Sequence, residues 1–82
     1  MRPSLYERVS LLRDIAEYGL KCGDVVTLVD YIPDPKGGED GAILEVFNAL
    51  GESIAVVTVR ESEIESLRAD EILSVRPFAP VG

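Results

Sequence analysis

The chain has 82 residues, 46% hydrophobic and 28% charged, and fifteen acidic side chains against eight Lys and Arg give a formal net charge of −7. So short a chain buries only about 60% of its unfolded surface, enough for one core, and its aliphatic content excludes a disordered tail. The basic residues are few and scattered, which argues against a nucleic-acid partner, and the acidic surface fits either a basic protein partner or simply solubility.

Residues 1–4 read as a frayed start. Glu7–Leu12 alternates as a half-buried strand, with Val9 and Leu11 on one face. Arg13–Lys21 has neither a strand nor a helix period and reads as a long excursion closing in a tight turn, where Gly23 takes a positive φ. Asp24–Ile32 is the longest β-branched run and is largely apolar on both faces. Pro33–Gly41 carries two prolines and three glycines and reads as a mobile surface loop. Ala42–Phe47 resumes as a strand, Asn48–Ser53 is a hairpin connection with Gly51 in the left-handed position, and Ile54–Val59 is the next strand, again apolar on both faces.

Glu61–Leu67 has two readings, a strand with Glu61, Glu63 and Glu65 in one exposed row, or a helical turn with Ser62 and Glu65 as a capping box. The β neighbours favour the strand. Arg68–Glu71 suits a short 3₁₀ turn around Ala69–Glu71, Ile72–Arg76 alternates as a closing strand, and Pro77 stops it, leaving 77–82 to fray. The expected fold is therefore all-β: one domain over residues 1–82, a small barrel of five to six short antiparallel strands.

The chemistry is constrained mainly by what is missing. With no histidine, His-based acid–base catalysis, His-assisted nucleophiles and histidine metal sites are excluded. Cys22 is the single cysteine, follows Lys21 in a turn and has no base in sequence reach. Asp34, Glu39 and Asp40 lack the spacing of a calcium loop. No cofactor or metal is expected. No apolar run approaches the roughly 20 residues of a membrane span, and Met1–Arg8 lacks the apolar run of a signal peptide, so the expected location is cytoplasmic and away from membranes.

The stretch Tyr18-Gly19-Leu20-Lys21-Cys22-Gly23-Asp24-Val25-Val26-Thr27-Leu28-Val29, followed by Leu44-Glu45-Val46, Gly51-Glu52-Ser53 and Ala55-Val56-Val57-Thr58-Val59, resembles a bacterial family of short proteins, domain of unknown function four-nine-two-six. The likeness spans about Leu5 to Arg76. It departs at Val26, where the family has glycine, and at Val46, where it has an aromatic. The resemblance implies an SH3-like small barrel and no enzymatic activity.

A one-core barrel covers only one face of each strand, so the doubled apolarity of Asp24–Ile32 and Ile54–Val59 calls for a second cover, from the Arg13–Lys21 excursion, the Phe78 tail, a second copy of the chain or a partner protein, and a homodimer or stable hetero-complex is expected. The resulting expectation is a non-enzymatic protein-binding module. Its contacts would come from Tyr18 and Leu20 on the excursion, Tyr31 on the long strand, and the acidic row Glu61, Glu63 and Glu65. The antitoxin or immunity half of a two-gene pair is one form of this reading, and an accessory subunit packing on a larger enzyme is the alternative.

Overall fold

The computed structural model describes residues 2–80. It is all-β: strands β1 (Arg8–Leu11), β2 (Val25–Ile32), β3 (Gly41–Phe47), β4 (Ser53–Arg60) and β5 (Ile64–Ser66), with 3₁₀ turns at Ala16–Tyr18 and Glu61–Glu63. The strands form one antiparallel sheet in the order β4-β3-β2-β1-β5. Consecutive strands pair up to β4, and β5 then returns beside β1, with Val9 opposite Ser66 and Leu11 opposite Ile64.

That return bends the sheet. Laid flat, five strands would set β4 and β5 about 19 Å apart, whereas Arg60 to Ile64 spans at most about 14 Å of chain. The sheet must curl until its two edges approach, and the Glu61–Glu63 turn bridges the gap without a ladder. The concave side holds one core, built from Val9, Leu11, Val26, Leu28, Ala42, Leu44, Val46, Val57, Val59 and Ile64.

Alternation supplies those residues. Val26 and Leu28 on β2, Ala42, Leu44 and Val46 on β3, and Val57 and Val59 on β4 occupy every second position, as the strand period requires. A bulge between Leu28 and Asp30 then shifts the register and turns Tyr31 toward Ala42. The Arg13–Lys21 excursion closes with a bridge between Ile15 and Leu20, and both side chains complete the core.

The hairpin behaves as its residues demand. Gly51 has φ 82°, and the Asn48 Oδ1 accepts the N–H groups of Leu50 and Glu52, each at 3.0 Å. The Pro33–Gly41 loop has a local organiser in Asp34, whose carboxylate accepts from the N–H groups of Lys36 and Gly38, each at 3.0 Å. Near the N-terminus Pro3 is buried and its carbonyl accepts from the Tyr31 hydroxyl at 2.7 Å, so the chain is pinned from Arg2 onward. Met1, Val81 and Gly82 lie outside the described residues.

One expected strand needs correction. Ile72–Arg76 is not a strand: no neighbour offers it a ladder, and the Arg76 guanidinium ties it instead to the Asp24 carboxylate and the Gly19 carbonyl. The tight turn expected around Ala69–Glu71 is present, closed by the Glu71 N–H donating to the Arg68 carbonyl three residues back at 3.1 Å. Both readings of Glu61–Leu67 were partial: Glu61–Glu63 is the turn and Ile64–Ser66 the strand. The carboxylate that reaches back belongs to Glu63 and accepts the Arg60 N–H at 2.8 Å, while Ser62 donates to Glu39.

Candidate functional site

The six residues expected to form a binding face are not brought together. Leu20 is 4% exposed and belongs to the core, so it cannot meet a partner. Its position in the excursion suggested a surface, but the bridge to Ile15 turns it inward. Tyr18 sits exposed on the first 3₁₀ turn. Tyr31 is half-buried, with the Arg2 guanidinium 3.7 Å from its ring centroid.

The acidic row is likewise divided and already partnered. Glu61 pairs with Arg2 at 3.0 Å, and Glu65 pairs with Arg68 at 3.1 Å. Glu63 is buried and faces Arg13. Burial pushes the Glu63 carboxyl up, but the Arg60 N–H and the Arg13 guanidinium outweigh it and hold the group below the ordinary carboxylate range. Glu61 and Glu63 thus meet distant arginines beside the turn that joins β4 to β5, Glu65 meets the nearby Arg68, and none of the three is without a basic partner.

Two open grooves lie on the surface. One lies beside Tyr31, Pro3 and Asp40, the other between Arg13 and Glu17 on one wall and Thr58 and Arg60 on the other. Cys22 is exposed, and its N–H donates to Asp14 at 2.8 Å. Among the described residues no three or more Cys, Asp or Glu side chains gather as metal ligands, and no helix is long and apolar enough to cross a membrane.

The open feature is β4. It pairs only with β3, so along its other side eight residues, Ser53 to Arg60, form an edge of the sheet. Its interior, Ile54-Ala55-Val56-Val57-Thr58-Val59, has neither a charge nor a proline. Edges are commonly blunted by a charge, a proline or a bulge, and of these β4 has only the bulge at Ile54, between Ser53 and Ala55. Val56 is 62% and Ile54 41% exposed on the convex face, with Phe47 and Leu50 of the same hairpin exposed nearby in the chain. By contrast, the outward residues of β2, Val25, Thr27 and Val29, are half-buried. The doubled apolarity read in two strands therefore leaves its larger open surface on β4, while Ile32 is the exposed apolar end of β2.

The family profile described as Domain of unknown function (DUF4926) matches residues 5–66. The chain belongs to that family. The DUF4926 match runs from just before β1 to the last residue of β5, so it covers the whole sheet and stops before the tail. At both positions where this chain departs from the expected pattern, Val26 and Val46, the side chain is buried in the core. No curated protein and no solved structure matches the chain significantly.

Proposed function

We propose that this DUF4926 chain is a non-enzymatic protein-binding module whose working surface is the open edge and convex face of β4. The observation that carries this is the eight-residue strand paired on one side only, with Ile54 and Val56 exposed, in a sheet whose other strands are paired on both sides or, for β5, only three residues long. An extended partner segment added to such an edge gains main-chain hydrogen bonds, and the convex side chains supply selectivity. The Arg2, Arg13 and Arg68 pairings of Glu61, Glu63 and Glu65 shift support away from recognition by the acidic row.

The test is affinity capture on the full chain beside its Val56→Lys variant, with retained proteins identified by mass spectrometry. A stoichiometric protein held by the wild type and lost by the variant supports the reading. Equal retention on both overturns it. If the captured protein is an enzyme, its activity separates two forms of the reading: inhibition by this chain fits an antitoxin or immunity role, and a requirement for this chain fits an accessory subunit.

A further inference from the structure

We infer that the occupant of the β4 edge is β4 of a second copy of this chain, paired antiparallel about a two-fold axis at Val56; the inference rests on the β4 reading above and names its partner. Main-chain geometry sets which groups are free. The Glu61 N–H reaches the Asp40 carbonyl at 3.0 Å, and the register puts Val59 opposite Ala42 and Val57 opposite Leu44. Antiparallel ladder bonds use alternate residues, so Val57 and Val59 point their N–H and C=O groups at β3. Those of Val56 and Thr58 point outward from the sheet. The Arg60 N–H, on the same side, is already taken by Glu63 at 2.8 Å, which ends the usable edge.

An antiparallel copy centred on Val56 satisfies this pattern. Each Val56 exchanges both main-chain bonds with its counterpart, and Thr58 of each copy lies across from Ile54 of the other, the residue at which β4 bulges between Ser53 and Ala55. The convex faces then set Val56 beside Val56 and Ile54 beside Thr58, covering the two most open apolar side chains of the strand.

Charge selects the direction. Glu52 precedes the strand and Arg60 ends it, and neither forms an ion pair among the described residues. Antiparallel pairing brings Glu52 of each copy to the Arg60 end of the other, whereas a parallel arrangement would set like charges together. The contact is isologous and closes on itself, since the opposite edge of the sheet, β5, has only three residues. The product is a two-fold dimer with one continuous sheet.

The experiment is amide hydrogen exchange by NMR across a dilution series of the full chain, with mass by sedimentation. A dimer in which the Val56 and Thr58 amides gain protection with concentration, while Val57 and Val59 are protected throughout, is the expected result. Val56→Lys should weaken the dimer ~100-fold or more with the circular dichroism spectrum kept, since it opposes two ammonium groups at the axis. The register has its own readout. Hydrogen-bonded opposite residues are about 5.5 Å apart at Cα, within disulfide range, so Val56→Cys in a Cys22→Ser background should cross-link to dimers and Thr58→Cys should not. A monomer at all concentrations with unprotected Val56 and Thr58 amides overturns self-pairing and leaves the capture test to decide the binding reading. A dimer protected elsewhere, or protection shared with Ile72–Val75, also overturns it.

Discussion

Glu63 joins three parts of the molecule, and its removal should show how the curled sheet is held shut. Its Oε1 accepts the Arg60 N–H at 2.8 Å, its Oε2 faces the Arg13 side chain, and its carbonyl accepts the Leu12 N–H at 2.8 Å. The first two contacts belong to the carboxylate and vanish in Glu63→Ala. A hydrogen bond to a charged acceptor contributes about 1.5–3 kcal/mol. The ion pair adds at most about 0.5 kcal/mol, because the Arg13 side chain is 65% exposed and screened by water. Glu63→Ala should therefore cost about 2–3 kcal/mol, lowering Tm by roughly 10–20 °C for a chain of this size. Glu63→Gln keeps a neutral acceptor for Arg60 and should cost about 1 kcal/mol.

The pH dependence gives this prediction a second edge. The folded Glu63 carboxyl lies below its ordinary value, so its contribution is present above the unfolded pKa and lost as pH falls through the folded one. The gap between wild type and Glu63→Ala in thermal denaturation should be full at pH 7 and shrink below about pH 4. A variant melting within about 2 °C of wild type, or a gap that persists unchanged at pH 3, refutes the reasoning.

The remaining predictions concern the tail and the hairpin. Arg76→Ala removes the guanidinium that meets both Asp24 carboxylate oxygens and the Gly19 carbonyl, so limited proteolysis should cut faster between residues 67 and 80 while stability falls by only about 1–2 kcal/mol. Unchanged cleavage there would show that something else retains the tail. Gly51→Ala meets nothing within 4 Å, yet its φ of 82° is left-handed, so chemical denaturation should report a loss of about 1–2 kcal/mol from backbone strain alone. A neutral result would mean the hairpin relaxes to another turn.

Much of the fold was legible because strand periodicity and turn chemistry are local. Val26 and Leu28, or Val57 and Val59, recur at every second residue whatever the rest of the chain does, and Gly51 after Asn48 names its own turn. The readings that failed needed information the local pattern lacks. Ile72–Arg76 alternates, but a strand exists only beside a neighbour with free main-chain groups. Leu20 looked exposed on a loop until the Ile15 bridge turned it inward, and Glu61, Glu63 and Glu65 looked free because Arg2, Arg13 and Arg68 are assigned to them only by the fold.

The β4 surface divides the same way. Composition and alternation were enough to establish a β domain with a neutral, apolar segment at Ile54–Val59 and more apolar faces than one core can cover. Which of those faces stays open was settled by topology, because β5 returns to β1 and leaves β4 at the margin. A strand's side chains record its period, but whether its outer N–H and C=O groups find partners depends on residues far along the chain.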